Sequence, residues 1–196
     1  MNQLYKRGEE RFGRFSTWFY SRLAQPFIKD LHRIALEEVL EYARKDEAKT
    51  VLDVGCGPGS VTCSIATQLS KAEVVGIDPS PFMVQAARHR AVRLGIRNVR
   101  FELGSSRTPP NGSYDLIYTV LSFHHWADQE KSLNTLYDHL AGKRLLVFEY
   151  NRNSSPFLFR SHSIASEYFK EFLGRTRFYN IQTFEKKRVV EGSFLK

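Results

Sequence analysis

Thr50-Val-Leu-Asp-Val-Gly-Cys-Gly-Pro-Gly59 is the stretch whose reading decides the fold. Val51, Leu52 and Val54 read as a short buried strand. Gly55, Gly57 and Gly59 follow at once, so the strand runs into a turn where main chain stands in place of side chains and a ligand can lie against it. Ser60 then caps a helical pattern with Val61, Ile65 and Leu69 on one face. The unit is strand, glycine turn, helix. A dinucleotide fingerprint would place a glycine three residues after the second one, where this chain has Ser60. Asp53, inside the strand, suits a cation better than a pyrophosphate. Glu73-Val-Val-Gly-Ile-Asp78 is a second strand, and Asp78 falls about twenty residues past the turn, where an acid at a strand end accepts hydrogen bonds from ribose hydroxyls.

Working outward, apolar residues recur at helical spacing from Phe15 to Ala43, and Pro26 divides them into helices of about 15–24 and 27–44. The aromatic cluster Phe12, Phe15, Trp18, Phe19 and Tyr20 reads either as a lid that excludes water or as ordinary packing. On the other side, Ser80-Pro81 opens a helix that ends at Gly95. Val99–Leu103 is a third strand and Tyr114–Thr119 a fourth, with Asp115 at its start in a structural role. Asp128 caps a helix that Gly142 terminates. Leu145–Tyr150 is the fifth strand, Phe157–Leu173 a helix ending at Gly174, and two alternating runs, 177–184 and 189–195, form a hairpin. The expected fold is α/β: a doubly wound, Rossmann-like, mostly parallel seven-stranded sheet with a C-terminal antiparallel hairpin.

The chain has 196 residues, enough for one domain with a substantial core. With 42% hydrophobic and 13% aromatic residues, disorder is not expected. Cys56 and Cys63 have neither disulfide nor zinc spacing, and a reducing compartment fits them. The N-terminus lacks an apolar signal-peptide core and no later stretch approaches a membrane span, so the expectation is a cytoplasmic protein without membrane insertion. The net charge of +8 is concentrated late: residues 143–196 carry eleven Lys/Arg against five Asp/Glu. That excess reads as a surface for an anionic partner, RNA or an acidic small molecule, or as a solvated face. Arg88, Arg90, Arg93, Arg97 and Arg100 read as solvated, with no matching acids.

Val51–Gly59, then Gly76-Ile-Asp-Pro-Ser80, then Tyr114-Asp-Leu-Ile-Tyr-Thr-Val-Leu-Ser-Phe-His-His-Trp126, resemble the class I S-adenosylmethionine-dependent methyltransferases. The resemblance covers roughly residues 45–150. It implies S-adenosyl-L-methionine as cofactor, with the glycine loop (Asp53, Gly55, Cys56, Gly57, Gly59) on its methionine part and Asp78 on its ribose. It further implies Pro79 in the cofactor site, Phe82 or Met83 against adenine unless Met83 is core filler, Gly104, Ser105 and Ser106 toward the adenine amino group, and Thr119 and Val120 at the end of the fourth strand. Many relatives carry aspartate where this chain has Ser105 and Ser106. Residues 1–44 are expected to form lid helices over a cofactor-binding domain of residues 45–196. The Phe-His-His-Trp loop resembles that of small-metabolite enzymes, including those of quinone biosynthesis. It makes a small-molecule acceptor the first expectation, with His124 or His125 as the candidate base. An RNA methyltransferase and a noncatalytic cofactor-binding interaction subunit are the alternatives. No Asp/Asn-Pro-Pro-Tyr/Phe motif follows the fourth strand, and the histidines show no metal spacing.

Overall fold

In the computed structural model the described residues are 25–153 and 163–196. The expected helix at 15–24, its aromatic cluster, and the first part of the expected helix from Phe157 lie outside them. Helix α1 (Gln25–Lys45) leads into β1 (Thr50–Val54), followed by α2 (Ser60–Gln68), β2 (Glu73–Asp78), α3 (Pro81–Leu94), β3 (Val99–Leu103) and β4 (Tyr114–Val120). A 3-10 turn (Phe123–His125), α4 (Gln129–His139), β5 (Leu140–Asn151), β6 (Ser163–Ile164), α5 (Ser166–Lys170), β7 (Asn180–Lys186) and β8 (Val189–Leu195) complete the order.

The strands form one sheet in the order β3-β2-β1-β4-β5-β8-β7. β1 through β5 are parallel neighbours, β8 runs antiparallel to β5, and β7 antiparallel to β8. The doubly wound sheet and its terminal hairpin are as expected, with one addition. Two-residue β6 pairs with Tyr150 and Asn151, beyond the point where β4 ends opposite Phe148.

Side chains alternate across the sheet, as a parallel sheet covered on both faces requires. Val51, Leu116, Tyr118, Leu146 and Phe148 pack against α1 and α2, while Leu52, Val54, Ile117, Leu145 and Val147 face α4 and α5. The second face is rich in rings: Phe123, fully buried, sits 4.9 Å from Trp126, 5.8 Å from Phe169 and 5.7 Å from Phe172 between centroids. Edge-to-face rings at these separations are favourable contacts. They plug the loop after β4 into the core.

Four local expectations are corrected. Ser60 does not cap α2: Gly59, left-handed at φ 73, occupies the cap position and Ser60 begins the helix. The turn is too tight to leave a side chain at the cap. Gly142 does not end α4, which stops at His139, but lies inside β5. There a Cβ would overlap the carbonyl of Asp115 at the register shift between β4 and β5, so a glycine is needed for contact. The run expected as a helix from Phe157 to Leu173 contains instead, in its described part, β6 and a single short helix, α5. The arginine run is only partly solvated. Arg88 donates to the Phe101 carbonyl on the outer edge of β3, Arg90 to the Pro58 carbonyl at 3.0 Å, and Arg100 pairs with Glu102 and Glu73. An edge strand and a glycine turn present unpaired carbonyls, and Arg88 and Arg90 cap them.

Candidate active site

Where the strand order reverses between β1 and β4, the loops at the carboxyl ends of the strands diverge and leave a crevice, the usual ligand position in open α/β sheets. Here it is a cleft of about 100 Å³ that opens to solvent at its mouth.

The glycine turn forms its floor. Gly55, Gly57 and Gly59 all have positive φ, of 77, 52 and 73. Each is kept small by something different. A Cβ at Gly55 would collide with Ser122, and one at Gly59 would stand 2.9 Å from Ala87 and Phe101. At Gly57 a Cβ would meet no atom of the described residues within 4 Å, so among them the space above it is open. Gly55 thus serves loop approach, Gly59 helix packing, and Gly57 the cleft.

Asp78, at the end of β2, ties this turn to α3. Its Oδ2 accepts from the Gly57 N–H at 3.0 Å and its Oδ1 from the Ser80 N–H at 2.8 Å. Ser80 caps α3 by accepting from Met83 N, with Pro81 at the first helical position. That cap brings buried Met83 to the cleft wall. Asp53 is buried beneath the turn, and its Oδ2 accepts from Thr62 Oγ1 at 2.6 Å and Tyr118 OH at 2.8 Å. Burial raises its pKa to about 7, an effect that those two hydrogen bonds oppose and the charge of Asp78 reinforces. The Cys56 thiol, pushed well up by burial and by both carboxylates, is no nucleophile.

Of the residues expected at the site, Asp53, Gly55, Cys56, Gly57, Asp78, Pro79, Met83, Ser105, Ser106, Val120 and His125 line this one cleft. Gly59, Gly104, Thr119 and His124 are not in its lining. Gly104 donates its N–H to the Asp78 carbonyl at 3.2 Å, and the Thr119 hydroxyl is buried without a hydrogen-bond partner. Ser105 and Ser106 spend their hydroxyls on Thr108 and Ser132, each at 2.9 Å. His124 is held by Glu149 of β5, its Nδ1 lying 2.8 Å from Oε2, and its ring meets that of His125 at 3.9 Å between centroids, tilted by 46°.

Sequence reasoning missed His32 of α1 and Ser60 as lining residues, while Leu121, Ser122 and Trp126 line the cleft in the loop after β4, which the sequence places over the crevice. His32 is held neutral, its pKa lowered to about 4 by burial and by the Arg90 charge. Leu121 takes a left-handed φ of 54, rare for a branched side chain, at the bend that returns the loop over the cleft. A signal for Ser122 does exist in the sequence: a loop seated on the bare Cα of Gly55 needs a small residue. Among the described residues no Lys or Arg lines the cleft, and no cluster of possible metal ligands is found.

Residues 45–191 match the family described as methyltransferase domain. The chain belongs to that family, and its sheet is that of the class I S-adenosylmethionine-dependent methyltransferases. Two curated relatives show the range. A demethylmenaquinone methyltransferase from Thermus thermophilus is 36% identical over 114 residues, 57% of this chain and 51% of the relative. A trans-aconitate 2-methyltransferase from Methylobacterium radiotolerans is 33% identical over 138 residues, 70% of this chain and 48% of the relative. The chain spans about half the length of these relatives. Among solved structures, a SAM-dependent methyltransferase from Aquifex aeolicus superposes with a TM-score of 0.74 at 19% identity, covering 94% of this chain and 98% of that one. The plantazolicin methyltransferase BpumL, solved with SAH, gives 0.72 at 17% identity, covering 93% and 89%.

Proposed function

We propose that this chain uses S-adenosylmethionine to methylate a small-molecule acceptor. The observation that carries the reading is the space above Gly57, open among the described residues, in a cleft that Asp53 and Asp78 both line. A cleft whose described lining holds two carboxylates and no Lys or Arg is poorly suited to phosphates and well suited to a cationic nucleoside. The buried Ser60 hydroxyl, which has no hydrogen-bond partner among the described residues and belongs to a residue lining the same cleft, adds a polar atom for a ligand to satisfy. The residues present therefore fit the group.

S-adenosylmethionine, when bound, supplies a methyl group made electrophilic by its positive sulfur. The residues of the chain bind and orient. Asp78, held by two backbone donors at the end of β2, is a carboxylate at the cleft suited to accept from a diol. Met83 gives an apolar wall for a base, and Asp53 faces a cation. His125 and Trp126, in a loop plugged into the core by Phe123, close the cleft, exclude water, and place an imidazole nitrogen where it can take a proton from an acidic hydroxyl. Support for a small acceptor comes from the names of the curated relatives, which act on demethylmenaquinone and trans-aconitate. Calorimetry with S-adenosylhomocysteine tests the reading. Binding is expected, and Asp78→Ala should weaken it by about 1–3 kcal/mol. No binding to the unaltered chain would overturn the proposal. Methyl transfer to a panel of phenols and carboxylic acids then tests the acceptor class.

A further inference from the structure

A carboxylate with no exposed surface sits at the carboxyl end of β5. Glu149 is fully buried, and each of its oxygens meets His124: Oε2 lies 2.8 Å from the ring Nδ1, and Oε1 accepts from the backbone N–H at 3.3 Å. Burying a carboxylate is costly unless its oxygens are satisfied, and here the fold satisfies them through the loop that borders the cleft. A carboxylate only accepts hydrogen bonds, so the proton of the pair lies on Nδ1 and the lone pair of a neutral His124 is on Nε2. The His125 ring, tilted by 46° against this fixed imidazole at 3.9 Å between centroids, lines the cleft. The other end of the loop is tied separately, with Trp126 Nε1 donating to Ser122 Oγ at 3.2 Å and Gln129 to the Phe123 carbonyl at 3.0 Å.

We propose that Glu149 is a positioning residue for the reacting site: it fixes the tautomer of His124, and through the ring contact of His124 with His125 it sets the ring of His125 against the acceptor. The proposal deepens the methyl-transfer reading and rests on it. The proton of the Glu149–His124 pair stays on His124 Nδ1, so His125 keeps a neutral ring at the cleft until it takes the proton of the acceptor. Among the described residues, the titratable groups in contact with the His124 ring are Glu149 of β5 and His125 of its own loop.

The test is long-range proton–nitrogen NMR of the full chain labelled in histidine, without cofactor, beside steady-state kinetics. In the unaltered protein His124 is expected as the Nδ1–H tautomer; the Nε2–H tautomer would overturn the proposal without any variant being made. In Glu149→Gln the His124 titration midpoint is expected to fall by about one pH unit or more through loss of the neighbouring charge. In the same variant kcat should fall at least tenfold, with KM and S-adenosylhomocysteine affinity within about twofold, and the pH profile should shift. An unchanged titration with unchanged kcat would equally overturn it. Failure of the unaltered chain to bind S-adenosylhomocysteine would count against the cofactor reading alone, since the tautomer in the same sample still decides the role of Glu149 toward His124.

Discussion

At the level of single residues, the glycine turn separates two requirements that the sequence presents as one. Gly55 and Gly57 share a positive φ, yet what a methyl group would meet differs: Ser122 at the first, open space at the second. Gly57→Ala should therefore cost only the left-handed strain of about 1–2 kcal/mol in stability, while its methyl intrudes on the cofactor position and reduces S-adenosylhomocysteine affinity at least tenfold. Gly55→Ala adds a collision with Ser122 to the same strain, and should lower the melting temperature further and disorder the loop bearing His125. Chemical denaturation paired with calorimetry on both variants checks this. Equal stability losses, or full affinity in Gly57→Ala, would refute the division of roles.

Between elements, the decisive contacts are backbone carbonyls left over by turns, and these are the features least legible in the sequence. Asn98, just before β3, donates its amide to the carbonyls of Ala66, Leu69 and Ala72, at 2.9, 3.1 and 2.9 Å. One side chain thereby closes the end of α2 onto the start of β2 and β3. Asn98→Ala should lower stability by about 2 kcal/mol, since it leaves buried carbonyls unsatisfied, and leave S-adenosylhomocysteine affinity unchanged because the clamp lies at the other end of the strands. A loss of affinity equal to that of Gly57→Ala would show that the two ends of the sheet are coupled. The strands, the alternation and the Asp53–Gly59 and Asp78 motifs are readable because apolar runs, glycines and acids at fixed spacing are local signals. Gly142 misleads for the opposite reason: a glycine after a helical run has the appearance of a cap, whereas its cause is the carbonyl of Asp115 on a neighbouring strand. His32 and Glu149 escape the sequence for the same reason. Their roles come from docking α1 and β5 beside the loop after β4, which no local pattern encodes.

For the molecule as a whole, charge and pH act on every element at once. Among the described residues the basic excess of the last quarter is partly paired within the fold: Arg144 and Lys143 share Asp46, Arg175 pairs with Glu130, Arg177 with Asp138 and Lys186 with Glu38, while Lys196 is bound to the carbonyls of Tyr137 and Leu140. Weak, salt-sensitive retention of bulk tRNA is expected, and tight binding persisting at physiological salt would revive an RNA acceptor. The pH dependence follows from three buried groups. Asp53 and Glu191 are raised to about 7, Asp53 chiefly by burial and Glu191 by burial and the neighbouring Glu38 charge, whereas His32 is lowered to about 4 by burial and Arg90. The folded chain holds the two carboxyl protons more tightly than the unfolded chain, so their stabilisation is complete below about pH 4 and is lost as pH rises through 7. His32 acts oppositely: the unfolded chain binds its proton more readily, and that contribution is present above about 6.5 and lost as pH falls toward 4. Two groups outweigh one, because a pKa that differs by one between the folded and unfolded chains is worth about 1.4 kcal/mol whichever group carries it. Without cofactor, stability should fall by roughly 3 kcal/mol from pH 5 to 7.5. Asp53→Asn should remove most of that slope, because an amide cannot ionise. Thermal unfolding followed in half-unit steps of pH is the measurement, and a midpoint that climbs from pH 5 to 7.5 in the unaltered chain would show that Asp53 and Glu191 are ionised in the fold.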